Sequence, residues 1–209
     1  MKTALIAEPV KKTATITTIY ERRAVRKYKK NPVEKEIIEA ILNAGRMAPS
    51  AMNQQVLKFY VLTNKDTLKT CAKEIMKAAA KDFMKKGLKQ IIKSPTLLLH
   101  AAEGIDFFTM DDPVFHGAPV VIFITAPKEN EWAELDIGMC AQNMMLAAKS
   151  IGLDSCPIGL AKYLAHTNSY SRIGISASEQ LHLAVIFGYG NETPEVHKRV
   201  INNAIFIDE

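Results

Sequence analysis

The chain has 209 residues, 48% apolar and 23% charged, with a formal net charge of +5. That is enough apolar material for a packed core, and it argues against a disordered chain. No run of about eighteen apolar residues occurs, which excludes a transmembrane helix. The apolar stretch Ala4-Leu5-Ile6-Ala7 meets Glu8 too soon for an export signal, so the cytoplasm is the expected compartment.

The length suits one domain, expected over residues 1–209. Three cysteines, Cys71, Cys140 and Cys156, show no CxxC spacing, and His100, His116, His166, His182 and His197 are scattered. Neither a disulfide framework nor a metal site is expected.

In chain order, residues 14–23 read as a short helix running into Arg22-Arg23-Ala24-Val25-Arg26, and Asn31-Pro32-Val33 breaks the chain. Residues 34–47 form a second helix, with Ile37, Ile38, Ile41 and Leu42 at helical spacing. Pro49 ends it, because its ring disfavours helical geometry at the residue before it. Residues 59–63 read as a strand. A lysine-rich helix follows, with Leu68, Ala72, Ile75, Met76, Ala79 and Phe83 on its inner face. Lysines recur every fourth residue from Lys65 to Lys93, and this segment carries a charge of +6. Such a stripe is either a solvated helix face or a field that attracts an anionic cofactor or substrate. Nucleic acid is not expected as a partner, since aromatics are sparse in the stripe and no recognition motif accompanies it.

Residues 120–125 form a strand apolar on both faces, hence central. Residues 132–151 make the most apolar helix, as expected for a buried helix or a subunit seam, with Gly152 as its cap. Residues 153–159 lead through Cys156-Pro157-Ile158-Gly159 into another helix. Residues 181–189 are the last long strand; beyond the tail His197-Lys198-Arg199, residues 204–207 read as a short final strand. No GxGxxG or GxxxxGK[ST] loop occurs, so neither a nicotinamide-binding Rossmann domain nor a P-loop is supported.

Three stretches carry chemistry. Arg22, Arg23 and Arg26 crowd three guanidiniums, which either hold a phosphate through their planar forks or stand solvated on the surface. In a helix-to-loop transition Arg22 and Arg26 share a face while Arg23 points elsewhere. Pro49-Ser50-Ala51-Met52-Asn53 offers backbone N–H groups, a hydroxyl and a carboxamide, which suit the edge of an isoalloxazine or pterin, or simply make a turn. Cys156-Pro157-Ile158-Gly159 lets a flat ring approach the backbone, or else is a plain bend. Cys156 reads as a buried small residue rather than a nucleophile. No side chain is expected to be a catalytic nucleophile or acid.

The order of these stretches resembles the nitroreductase family of flavin enzymes. The resemblance runs through Arg22-Arg23-Ala24-Val25-Arg26, Ala48-Pro49-Ser50-Ala51-Met52-Asn53-Gln54-Gln55 and Gly117-Ala118-Pro119-Val120-Val121-Ile122. It continues through Asp136-Ile137-Gly138 with Ala141-Gln142-Asn143, Ile151-Gly152-Leu153-Asp154-Ser155-Cys156 and Phe187-Gly188-Tyr189-Gly190, covering about residues 16–208. It implies an α+β fold, a mostly antiparallel sheet flanked by helices, and an intertwined homodimer with FMN between subunits. It assigns Arg22 and Arg199 to the FMN phosphate, Arg26 to the pyrimidine side and Arg23 to nearby backbone and charge. Pro49, Ser50 and Asn53 come from the other subunit, and Ile158 and Gly159 offer N–H groups near flavin N5 and O4. Ala24 lies in the phosphate loop where the family commonly has serine, so a hydroxyl is lost there. The chain reads Asn53-Gln54-Gln55-Val56-Leu57 where the family commonly has Asn-x-Gln-Pro-Trp.

The implied activity passes hydride from NAD(P)H through flavin N5 to a small acceptor such as a nitroaromatic, quinone or enone. A flavin-binding storage or regulatory protein, or a flavin-consuming enzyme of the same fold, stays open as an alternative. No membrane partner is expected.

Overall fold

A computed structural model describes residues 3–4, 11–86 and 112–207. Its centre is a four-stranded, wholly antiparallel sheet in the order β2-β3-β5-β4: β2 is Lys58–Leu62, β3 Val120–Pro127, β4 Asp154–Ile158 and β5 Glu179–Gly188. A separate two-stranded ladder joins β1, Thr3–Ala4, to β6, Arg199–Val200. The helices are α1 (Ala14–Glu21), α2 (Lys35–Arg46), α3 (Lys65–Lys86), α4 (Ala133–Ser150) and α5 (Asn168–Arg172).

Strand β3 lies between β2 and β5 and is buried along both faces, as its unbroken apolar run requires. The period of two splits it cleanly. Val120, Ile122, Ile124 and Ala126 enter the core under α2 and α4, while Val121 and Phe123 enter the core under α3 and the 3-10 turn Gly159–His166. In β5 the register slips beside Ile124/Thr125, so that Thr125 opposes Leu181 while Ile124 opposes Leu183. His182 is the extra residue. The bulge turns Leu181 into one core and Leu183 into the other, which simple alternation forbids.

Helix α4 buries Asp136, Ile137, Cys140, Ala141, Met144, Met145 and Ala148 against the sheet and α2. Gly45 of α2 sits so close that an added Cβ would lie 2.8 Å from Met144. The opposite side of α4 is open among the described residues, with Leu135 56% exposed. Its C-terminus closes with Gly152 at φ +86, where Leu153 N–H reaches the Ala148 carbonyl and Gly152 N–H the Lys149 carbonyl.

Elsewhere the structure corrects the sequence-based expectations. Helix α1 ends at Glu21, because Arg22 is extended. The stretch leading to Gly159 contains strand β4, and the following helix is a 3-10 turn. Asp154, Ser155 and Pro157 are poor strand formers, but β4 borders only β5 within the sheet, and an edge strand tolerates a proline. The short final strand is Arg199–Val200; Ile205, Phe206 and Ile207 are exposed coil. Lys65, Lys69, Lys73, Lys77 and Lys81 are exposed, as a solvated helix face requires. The side chains of Phe83 and Lys85, together with Lys89 and Lys93, lie outside the described residues. Among the described residues no helix is long and apolar enough to cross a membrane.

Glu179 fastens one end of the sheet. It is 3% exposed, and its carboxylate accepts hydrogen bonds from Lys58 Nζ (2.5 Å), Tyr60 Oη (2.9 Å) and Thr125 Oγ1 (2.7 Å). Burial pushes its carboxyl up, but bonds from Lys58, Thr125 and Tyr60 outweigh burial and hold it below the ordinary 4.5. Its stabilising contribution is therefore complete above the ordinary glutamate value and is lost as pH falls through the lower folded value. Glu179→Ala, which strands the buried Thr125 hydroxyl, should cost about 2–3 kcal/mol in urea unfolding. Glu179→Gln should flatten the acid limb of a stability–pH profile.

Candidate functional site

The arginine pentad folds as an extended segment laid along the free edge of β4. Arg22 leaves α1 at ψ 132, Ala24 bridges Ser155 in parallel, and Val25 N–H donates to the Ser155 carbonyl at 3.1 Å. The segment is then stitched to the end of β5. Asn191 N–H donates to Lys27 O and Lys29 N–H to Tyr189 O, both at 2.8 Å, and Tyr28 bridges Gly190. Glu192 Oε1 accepts the Arg26 N–H at 2.5 Å.

Side chains alternate in an extended segment, so Arg22, Ala24 and Arg26 share a side by strand geometry rather than helix geometry. Both Arg22 and Arg26 bear electrostatically on Cys156 between them. Arg23 points away and binds the end of α1, its Nη1 donating to the Tyr20 carbonyl at 2.6 Å and the Arg22 carbonyl at 2.7 Å. A cation suits that helix end. Arg23 Nε is buried without a partner among the described residues.

Burial lowers the Arg22 guanidinium's pKa, and the charges of Arg23 and Arg199 push it further down. Arg199, paired with Ala4 in the β1–β6 ladder, is within electrostatic reach of Arg22, and its Nη1 donates to the His197 carbonyl at 3.1 Å. Among the described residues no carboxylate pairs with Arg22 or Arg199. Clustered cations without a carboxylate partner can take an anion between them.

Cys156 is buried, and burial raises its thiol pKa while Arg26 and Arg22 pull it down. A thiol that burial keeps protonated is a poor nucleophile. Ile158 closes β4 with its side chain in the core, and Gly159 opens the next turn. A Cβ added at Gly159 would meet nothing within 4 Å, so the backbone there is open to a flat ligand.

Pro49, Ser50 and Asn53 sit elsewhere in the protomer. Their turn hangs on buried Asp136 of α4, whose oxygens lie 3.3 and 3.4 Å from the Ala51 N–H. Ser50 Oγ accepts the Gln55 N–H at 3.1 Å, and Asn53 Oδ1 accepts from Gln55 Nε2 at 2.9 Å. Met52, Asn53 and Gln55 all hold positive φ near 50°. Among the described residues no hydrogen bond links this turn to the arginine cluster. It borders a shallow groove on the open side of α4, lined by Pro49, Leu135, Gly138, Met139 and Gln142.

The sequence profile of the nitroreductase family matches residues 19–189. The chain belongs to that family. It is 26% identical over 204 residues to the 4-nitrobenzoate reductase of Pseudomonas putida, with 86% of each chain covered. A Bacteroides fragilis nitroreductase crystallised with bound FMN superposes at a TM-score of 0.74 and 25% identity, covering 95% of this chain and 100% of the other. The FMN-dependent nitroreductase NfnB of Mycobacterium smegmatis, in complex with NADPH, superposes at 0.68 and 25% identity, covering 88% and 94%. The expected α+β nitroreductase fold is thus the observed one.

Sequence reasoning missed what holds the candidate site's residues in place, and named Asp136 only within a motif. Asp136 holds the Pro49–Asn53 turn and Glu192 the Arg26 amide, and neither distant pairing leaves a local signal. Gly190 was legible only as part of a motif. A Cβ there would lie 2.3 Å from Asp154 Oδ2, the carboxylate that also pairs with Lys149 at 3.1 Å. Gly190→Ala should lower stability by about 1–3 kcal/mol through this clash. Asp154→Ala in the same chain should recover part of the loss, a non-additivity that thermal unfolding of the two single variants and the double variant will read.

Proposed function

We propose that this chain is an FMN-dependent oxidoreductase that takes hydride from NAD(P)H and reduces a small organic acceptor, nitroaromatics foremost. One observation carries the site assignment: Arg22 and Arg199 lie within electrostatic reach of each other with no carboxylate partner among the described residues, and the Gly159 backbone is open. The residues present fit a phosphorylated, flat cofactor. Arg22 and Arg199 hold the phosphate, and Ala24 keeps the loop close without adding a hydroxyl. Arg23 fixes the loop to α1. Arg26 faces the pyrimidine side, where a cation stabilises negative charge gained on reduction. Ile158 and Gly159 present backbone N–H groups to the ring edge. FMN, when bound, supplies the hydride and electron chemistry at N5; the protein supplies orientation, charge and exclusion of water.

The second half of the site comes from a second copy. Pro49, Ser50 and Asn53 stand on the open side of α4 beside exposed Leu135, so a homodimer packed on that side brings them to the partner's cofactor. Met144 and Ala148, though on the same helix, are fully buried within the protomer and belong to its own core. Three free cysteines suit a reducing cytoplasm. The exposed lysines of α3 serve as a solvated face.

Arg22→Ala removes a charge-assisted contact worth roughly 1.5–3 kcal/mol, so FMN should bind about one to two decades more weakly in a fluorescence titration. Riboflavin affinity should change little. An unaltered FMN titration would sink the phosphate assignment. Leu135→Glu should yield monomers in sedimentation together with loss of FMN, because each site is shared; a dimer that survives the substitution would move the interface elsewhere. Stopped-flow reduction by NADH and NADPH tests turnover, since a storage protein would stay oxidised.

A further inference from the structure

The Pro49–Asn53 turn spends its polar side chains on itself and presents an apolar one. Ser50 Oγ and Asn53 Oδ1 both accept hydrogen bonds from Gln55, and the Ala51 N–H is held by Asp136. Gln54 Oε1 accepts from Asn130 Nδ2 at 3.2 Å, so the loop is tied both to α4 and to the residues just before it. Exposed Trp132 and Leu135 stand at the same end of α4. Met52 is the side chain that the turn turns outward, 80% exposed. Its backbone is left-handed, at φ 52 and ψ 24, a region uncommon for residues other than glycine and asparagine. Among the described residues methionine therefore gains neither burial nor backbone ease at this position. A single exposed apolar side chain is ordinary, but one held in a strained backbone points to a contact made outside the protomer.

We propose that Met52 is a specificity-determining residue: its side chain covers the outer face of a flat aromatic acceptor lying on the FMN of the second copy. The inference rests on the reading that the Pro49–Asn53 turn reaches the partner's cofactor. An acceptor lies flat against the ring that reduces it, so its other face is left to the protein or to water. The turn offers that face an unbranched, polarizable thioether chain, which adapts to rings of different outline and packs favourably on aromatic carbon. Selectivity of this kind is graded by apolar area. A fused pair of rings gains more than one ring, and an acceptor without an aromatic face gains least.

The test compares the FMN-loaded wild type with Met52→Gly and Met52→Leu. Glycine removes the side chain and fits the left-handed backbone, whereas leucine keeps the apolar volume. With NADPH as donor, kcat/KM is read for 1-nitronaphthalene, nitrobenzene and ferricyanide. Met52→Gly should lower it about tenfold for 1-nitronaphthalene, less for nitrobenzene and least for ferricyanide. Met52→Leu should recover most of that loss. Thermal unfolding of the same proteins gives a readout apart from turnover. Met52→Gly should unfold no lower than the wild type, because methionine strains the turn rather than supporting it. Equal losses for the three acceptors, an unaltered value for 1-nitronaphthalene, or a lower unfolding temperature overturns the inference and leaves the cofactor assignment standing. A wild-type protein that binds no FMN overturns both.

Discussion

Like charges do not gather unless the backbone makes them. The short stitch between residues 24–29, the edge of β4 and the stretch 189–192 does this work, with paired backbone bonds at 2.8–3.1 Å holding the arginine-bearing segment in extended form. Each neighbouring guanidinium raises the electrostatic cost of the others, and that cost grows as water is excluded. Arg22 is partly desolvated and still lacks a carboxylate partner among the described residues. An anion that binds there relieves a repulsion already built into the folded chain. Glu192 complements the stitch by placing its negative charge on the Arg26 amide, leaving the arginines to face outward.

That stitch needs a firm edge to hold on to, and the sheet provides it. Strand β3, buried on both faces, separates two cores; the bulge at His182 lets β5 feed leucines to each. One core seats α2 and α4, from which Asp136 suspends the Pro49–Asn53 turn. The other seats the 3-10 turn that opens at Gly159. The Pro49–Asn53 turn and the turn that opens at Gly159 therefore hang from opposite faces of one sheet.

The periodic elements were legible before the structure. The apolar run of β3, the i, i+3, i+4 pattern of Ile38, Ile41 and Leu42, and the glycine cap of α4 follow from local rules. Strand β4 was not legible, because Asp154, Ser155 and Pro157 have no strand preference and are recruited by β5 on one side and Ala24 on the other. The tail misled for the opposite reason. Ile205-Phe206-Ile207 has strand-forming residues but pairs with no strand among the described residues, whereas Arg199–Val200 has one in β1. At the candidate site, charge and turn chemistry marked the arginines and the Pro49–Asn53 loop. The pairings Asp136–Ala51 and Glu192–Arg26 span far too much chain for a linear pattern to show.

Met52, Asn53 and Gln55 each hold a left-handed backbone without being glycine. Conformations of this kind cost about 1–3 kcal/mol apiece in the least tolerant residues, and less where an amide side chain eases the turn. Glycine at Met52 would relieve that strain at an entropic cost of only about 0.4–1 kcal/mol, so the loop holds methionine there at a net cost in stability. The loop thus behaves as a rigid, pre-tensioned jaw. Its shape is set before any partner or ligand arrives, and a docking surface that arrives already shaped loses little entropy on closing.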